Sequence, residues 1–520
     1  MTAHCRSTVS REGKAGGRKP EMHGHEKSDR SVVPGKSRNK AGRPGGRAAA
    51  DEMEGRGLAK GNPRGPNALR TQSRVGVGNG LDRIREAARR DRKARFTALL
   101  HHVTIDRLRG VYLAMNRRAA AGVDGVTWRC YGEELERNLQ ALHRRLHCGR
   151  YRVKPSRRVF IPKTDGRMRP LGIAALEDKL VQGAVLEVLN AVYEADFAGF
   201  SYGFRPGRNQ HHALDALAVG ILRKKVNWVL DADIRDFFGS ISHEWLVRFV
   251  EHRIADRRVL GLVHRWLAAG VVEAGTWTRS EEGTPQGATI SPLLANIYLH
   301  YVFDLWFHQW RRRYAGGDVI AVRYADDFVV GFEHQRDAER FLAELQARLG
   351  AFCLELAPNK TRLIEFGRYA RARRRERGLG KPESFTFLGL RHVCHGWGGD
   401  FQLLRRTDGK RLRAKLSQVR AELMQRRHHS TVEQGMWLRS VVRGYYAYHA
   451  VPTNIRALGA FRTGVARAWL AALRRRSDKD RTTWEVMKPR IDRWLPRPRI
   501  LHPWPKQRFD VTTRGRSRMR

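Results

Sequence analysis

The sequence predicts an α+β fold: an antiparallel sheet flanked by helices, followed by a helical C-terminal region. Three observations predict it. VIAVRYADDFVVGF (319–332) is two β-rich runs around a tight turn, the pattern of a hairpin. YRVKPSRRVFIPKTDGRMRPLGI (151–173) reads as two further strands joined by a TDG turn. Helical spacing instead dominates 176–222 and the stretch from about 410 to 475, which is also basic and aromatic.

The elements follow in order. Residues 1–80 contain no Phe, Tyr or Trp and are rich in Gly, Arg, Pro, Ser and Lys. Such a segment buries too little apolar surface to offset chain entropy, so it is expected to be a disordered basic leader. Order is expected from Leu81, with a basic helix over 81–100. A second helix over 104–118 has Thr104 as N-cap and Ile105, Leu108, Tyr112 and Met115 at helical spacing. AAGVDGV (120–126) breaks it. Short strands and helices fill 225–366, and the Arg-rich 368–382 reads as a mobile insertion. Strands return over 385–405. The Pro-rich PRPRILHPWPKQR (496–508) reads as extended. The domain boundaries this implies are 1–80, 81–395, 396–476 and a basic tail, 477–520.

Among the 520 residues, 81 Arg and 19 Lys face 52 acidic residues, a net charge of +48. That excess points to a polyanionic partner, most simply nucleic acid. Arg also forks onto phosphate and stacks on bases. Five scattered cysteines, none in C-x-x-C spacing, argue against a disulfide framework and a zinc ribbon, and fit a reducing cytoplasm. No apolar run approaches ~18 residues, so no membrane association is expected. The first residues lack the apolar stretch of a secretory signal.

The chemistry-bearing residues lie in five places. The hairpin turn presents Asp326 and Asp327 side by side. Two adjacent carboxylates repel, and a divalent cation relieves them; taken alone, the pair also suits a plain surface turn. VNWVLDADIRDFF (226–238) ends in Asp231, Asp233 and Asp236. On a strand, Asp231 and Asp233 share a face and Ala232 takes the other. A strand there beside the hairpin would bring Asp233 to Asp326. Three carboxylates could then hold two Mg²⁺ ions ~3.5–4 Å apart for in-line displacement at phosphorus. GTPQGATISPLLANIYL (283–299) is a Gly/Pro loop before a helix capped at Ser291, with Gln286 able to bond a nucleotide or template. FIPKTDGRMRPLGI (160–173) carries Lys163, Arg167 and Arg169 around a turn, a clamp for a triphosphate. Lys360 in LAPNKTRLIEF is a candidate proton donor to pyrophosphate.

These words occur in the order IPKTDGRMRPLGI, DADIRDFF, GTPQGATISPLLANIYL, RYADDFVV, LAPNKTRLIEF, FTFLGL. In that order they resemble the reverse transcriptases encoded by bacterial group II introns. EDKLVQGAVLEVLNAVYEADFAGFSYGFRPGRNQHHALDAL (177–217) and the maturase-like LRSVVRGYYAYHAVPTN (438–454) extend the resemblance over residues 70–510. It implies a right-hand polymerase, with fingers and palm built on an antiparallel sheet and an α-helical thumb or maturase domain. It implies assistance to splicing of the intron RNA and RNA-directed DNA synthesis during mobility. By position, Asp233, Asp326 and Asp327 are the catalytic carboxylates. The Mg²⁺ ligands are Asp233, Asp326 and Asp327, with the Ile234 carbonyl alongside. Phe238 falls at the aromatic gate against a ribose 2′-hydroxyl. Gln286 contacts the incoming nucleotide, and Lys163 and Arg169 hold its triphosphate.

There are two departures. Where the family commonly reads D-I-x-G-F-F-D, this chain reads DIRDFFG (233–239), with Gly and Asp exchanged. The paired C-x-x-C ligands of an H-N-H endonuclease do not occur, so no such domain is expected and the DNA primer would come from elsewhere. RNA contacts are expected at Arg443, Arg474, Arg475 and Arg476, while the C-terminal aromatics divide between helix core and base stacking. Partners are then intron RNA, a DNA primer or target, and deoxynucleoside triphosphates; monomer and homodimer both remain open. A non-catalytic splicing factor retaining the fold is the alternative reading, and another reverse transcriptase lineage, such as a retron, is a third.

Overall fold

The computed structural model describes residues 74–162, 168–273, 276–278, 282–284, 287–396, 401–476 and 481–513. Helices α1 (Arg74–Arg90), α2 (Ile105–Ala114), α3 (Trp128–Glu133) and α4 (Leu135–His147) come first. Strands β1 (Ser156–Pro162) and β2 (Met168–Ile173) precede α5 (Leu176–Tyr193) and α6 (Gln210–Arg223). Then come β3 (Trp228–Asp233), α7 (His243–Glu251), α8 (Arg257–Ala268), β4 (Val271–Glu273) and β5 (Thr276–Thr278). Helix α9 (Ser291–Leu299) runs through a π turn, His300–Asp304, into α10 (Leu305–Tyr314). The hairpin is β6 (Val319–Tyr324) and β7 (Asp327–Phe332), followed by α11 (Gln335–Gly350), β8 (Arg362–Glu365) and α12 (Ala370–Glu376). Strands β9 (Ser384–Phe387), β10 (Leu390–His395) and β11 (Gln402–Thr407) lead to α13 (Gly409–Gln425), α14 (Thr431–His449), α15 (Ile455–Arg474), α16 (Trp484–Trp494) and α17 (Pro505–Thr513).

The α+β expectation holds, with antiparallel pairing dominant. The central sheet has the order β6-β7-β3-β8, antiparallel throughout. Two smaller sheets have the orders β2-β1-β4-β5 and β11-β10-β9. The hairpin strands are nearly continuous apolar runs, buried on both faces. Helices cover both sides, which is why strict alternation is missing. One hydrophobic core runs from Leu81 to Leu403 and also takes in Val451 and Phe509. A second, wholly helical core gathers residues between Val419 and Leu495.

Thr104 caps α2 as expected, its side chain accepting from the Arg107 N–H. Other expectations need correction. Most of the 1–80 segment lies outside the described residues, but α1 starts at Arg74, before the expected Leu81, and stops at Arg90 instead of reaching 100. Ser291 is the first residue of α9, with Ile290 as its cap. The 368–382 stretch contains α12, and Arg377 after it pairs with buried Glu365, so it is not a structureless insertion. The boundary at 395/396 cuts a strand pair, since β10 pairs with β11 from Leu390↔Thr407 to His395↔Gln402.

The stretch 477–520 is not simply a tail. Met487 and Ile491 of α16, and Leu495 that caps it, are spaced four apart and enter the helical core. Helix α17 returns to the first core through Phe509. There Asp215 of α6 accepts from Arg405 of β11 at 2.7 Å and pairs with Arg508 of α17 at 3.2 Å. Among the described residues, no helix is long and apolar enough to cross a membrane.

Candidate active site

Register brings the carboxylates together. Asp233, the last residue of β3, lies directly opposite Asp327, the first of β7. Asp326 sits in the tight turn between β6 and β7. One carboxylate oxygen from each of Asp233, Asp326 and Asp327 lies within 4.8 Å of the others. All three are only partly buried, at the ends of the inner strands, while Val322, Phe328 and Val330 anchor the hairpin beneath them. Three converging carboxylates repel one another and call for positive charge. Lys360 supplies some: its ammonium pairs with Asp233 Oδ2. The Ile234↔Leu356 bridge delivers it, with the Ala357 N–H donating to the Asp233 carbonyl at 2.8 Å. An all-oxygen donor set of this kind suits a hard divalent cation.

Asp231 faces the same side of β3 but stays outside the trio. Its carboxylate accepts from Arg362 at 3.4 Å. Burial pushes its pKa up to about 6, with Arg362 opposing the shift.

The reversed DIRDFFG word has a local explanation. Asp236 adopts a left-handed backbone, φ +38°. That is a conformation which Asp tolerates better than most side chains and Gly adopts freely. Its carboxylate folds over Gly239, where a Cβ would stand 2.9 Å from Asp236 Cγ. The carboxylate at 236 therefore fills the space a side chain at 239 would take. Gly239→Asp is expected to cost on the order of 1 kcal/mol through crowding of like charges. Adding Asp236→Gly should recover most of it. Urea unfolding of the two single variants and the double checks this, and strictly additive effects would contradict the coupling.

Residues 161–392 match the family described as reverse transcriptase (RNA-dependent DNA polymerase). Protein YkfC of Escherichia coli K12 is 36% identical over 275 residues, 46% of this chain and 71% of that protein. The group II intron-encoded protein LtrA of Lactococcus lactis is 38% identical over 166 residues, 32% of this chain and 27% of LtrA. An uncharacterized 91 kDa protein in the cob intron of Schizosaccharomyces pombe is 41% identical over 150 residues, 29% of this chain and 18% of that protein. The chain belongs to the group II intron reverse transcriptase/maturase family. The members of this family are RNA-directed DNA polymerases, and Asp233, Asp326 and Asp327 all fall inside the matched region.

The remaining expected residues of this reverse transcriptase are placed unevenly. Phe238 is half-buried against the core, edge-on to Phe237 with ring centroids 5.3 Å apart. Its carbonyl accepts from the Thr284 N–H at 2.8 Å, so the start of the Gly/Pro loop lies against it. Gln286 and Lys163 lie outside the described residues. Arg169 is on a different sheet, in β2 opposite Ile161. Ile234 has a buried side chain and continues β3 toward the bridge with Leu356. Arg443 is exposed on α14, and Arg474 and Arg475 are exposed at the end of α15. Arg476 is partly buried and donates to the His429 carbonyl. Arg467, Arg474, Arg475 and Trp484 share the wall of an open cavity of about 550 Å³. Tyr445, Tyr446, Tyr448 and Trp469 are core, whereas Trp484 and Trp504 are 43% and 57% exposed.

The sequence reading missed Arg323, which is fully buried beneath the turn between β6 and β7. The available signal was a charged residue inside an otherwise apolar strand, VIAVRY, which requires a buried partner.

Proposed function

We propose that this chain is the RNA-directed DNA polymerase and maturase of a group II intron. It binds the intron RNA to assist splicing and copies it into DNA. The observation that carries the reading is the gathering of Asp233, Asp326 and Asp327 within 4.8 Å at the end of the central sheet. The family membership supplies the reaction class. In this reading the architecture is a right hand: fingers and palm through the β11-β10-β9 sheet, and a helical thumb from α13 that continues through α16.

Asp233 and Asp326 would be the principal ligands of two Mg²⁺ ions, with Asp327 and the Ile234 carbonyl beside them. When bound, the ions lower the pKa of the primer 3′-hydroxyl and neutralise charge on the leaving pyrophosphate. The chain's own groups do the rest. The 3′-oxygen attacks the α-phosphorus of the incoming deoxynucleotide, and the bond to the β-phosphate oxygen breaks. Lys360, already held at Asp233, is placed to give its proton to the departing pyrophosphate. Phe238 bounds the sugar site. Lys163, Arg169 and Gln286 bind the nucleotide. Arg443 and Arg474–Arg476 contact RNA, with the arginine-lined cavity beside Trp484 offering both phosphate pairing and a stacking face. A net charge of +48 supports tight, salt-sensitive RNA binding in the cytoplasm, where primer DNA and nucleotides are available.

Primer extension on an RNA template with Mg²⁺ tests the reading. The expected result is DNA product from the wild type and a drop of about 10²–10⁴-fold for Lys360→Ala, the range for removal of a general acid. RNA binding with no extension by the wild type would instead make the chain a splicing factor that retains the fold.

A further inference from the structure

Arg323 precedes Asp326 by three residues and is 0% exposed. An unpaired guanidinium there would be very costly. Its donors are instead matched one by one. Nε and Nη2 donate to the two oxygens of Asp304 at 2.8 and 2.6 Å. Nη1 donates to Asn296 Oδ1 and to the Ala325 carbonyl, both at 3.0 Å. Asp304 is itself buried, so neither charge is screened by solvent.

The π turn explains how both partners reach Arg323. Asn296 lies in α9, and Asp304 follows eight residues later at the end of the π turn, His300–Asp304. At about 3.6 residues per turn, eight α-helical residues overshoot two turns by roughly 80°. A π turn holds roughly one residue more than an α turn, so here eight residues make about two full turns. Asn296 and Asp304 consequently arrive on one face, toward Arg323.

The group that this cluster grips is the catalytic turn. Ala325 has φ +57°, a strained conformation for a residue with a Cβ. Its carbonyl is fixed by Arg323 on one side. On the other side lies Gly203, where a Cβ would stand 2.9 Å from the Tyr324 carbonyl carbon and 3.0 Å from Ala325 Cα. Asn296 ties the two sides together, since its Nδ2 donates to the Gly203 carbonyl at 2.7 Å.

We propose that Arg323 is a positioning residue for the polymerase. With Asp304 and Asn296 it fixes the Ala325 carbonyl, and thereby the direction in which Asp326 leaves the turn. Arg323 bonds the turn's backbone and its buried partners, and acts on the reaction only through Asp326. The inference rests on Asp326 being a metal-binding carboxylate. A role in stability alone makes a different prediction, because a buried ion pair is often replaceable by apolar residues of similar volume without loss of stability.

The test is Arg323→Met with Asp304→Leu, which removes both charges together, alongside Arg323→Lys, which keeps the charge but not the fork. Mn²⁺ binding is followed by electron paramagnetic resonance, primer extension by kcat and KM, and folding by thermal melting. The expected result is a folded double variant with Mn²⁺ affinity and kcat each lowered about 10- to 100-fold, and KM for nucleotide changed much less. Arg323→Lys should show the same shift to a smaller degree, and it carries the test should the double variant not fold. Wild-type Mn²⁺ affinity in a folded variant would overturn the inference. Weakened Mn²⁺ binding beside a wild type that extends no primer would uphold it, while removing the polymerase reading.

Discussion

Asp326→Asn is expected to abolish DNA synthesis while leaving the fold and RNA binding in place. Asn keeps the shape of Asp, so the turn between β6 and β7 and the Arg323 contact to the Ala325 carbonyl both survive. What is lost is one full negative charge from a group whose carboxylate oxygens lie within 4.8 Å of one another. Loss of one ligand in a two-ion site removes several kcal/mol of transition-state stabilisation. A fall of about 10³-fold or more, ~4 kcal/mol, is therefore expected in primer extension. Stability should move the other way. Removing one of three mutually repelling carboxylates relieves strain, so the melting temperature should stay level or rise. RNA affinity should not change, because the arginines of α14 and α15 are untouched. A variant that loses synthesis, RNA binding and melting temperature together would show that Asp326 holds the fold.

The three clustered carboxylates were legible because strand periodicity is local. Asp231 and Asp233 two residues apart, and an Asp pair at the centre of a hairpin, carry their geometry in their spacing. Lys360 was legible only as a candidate; its contact with Asp233 depends on the bridge between Ile234 and Leu356. The Arg323 cluster was not legible in spacing. Its partners are 19 and 27 residues away, and one reaches it only through a π turn that α-helical spacing does not anticipate. Helix α12 was hidden because it buries only Ala370, leaving no apolar stripe to read. Helix α17 was masked by the prolines before it, although Phe509 enters the first core. The C-terminal aromatics divided much as composition alone allows: four of those near the Arg-rich helices are packed inside, and indoles such as Trp484 stay at the surface.

Acid should unfold this protein earlier than its carboxylates alone would dictate. Burial holds several histidines neutral. His392, wholly buried and stacked on Phe385 at 4.8 Å, has its pKa lowered to about 3. Burial lowers His449 to about 3, with Arg411 adding to the shift. His212 and His502 are lowered to about 4, again chiefly by burial. His211, stacked on His502 with centroids 3.9 Å apart, is lowered well below 6.5. In the unfolded chain each titrates near 6.5. Between that pH and the lowered values, the unfolded state binds more protons than the folded one, so stability falls as pH falls. The stabilisation is complete above about pH 7 and erodes below 6.5. At about 1.4 kcal/mol per pH unit for each proton, His392 and His449 together remove ~4 kcal/mol by pH 5. That is a large part of an ordinary folding free energy of ~5–15 kcal/mol. The junction of α6, β11 and α17 should fail early. Protonated His211 and His502 would face each other there, beside Arg405 and Arg508, with Asp215 the acid that pairs with both arginines. Thermal melting from pH 7.5 to 5 should show a level plateau and then a steep fall. His392→Phe should flatten the fall by about one proton. A melting temperature that stays level to pH 5 would mean that these rings are already charged in the folded protein.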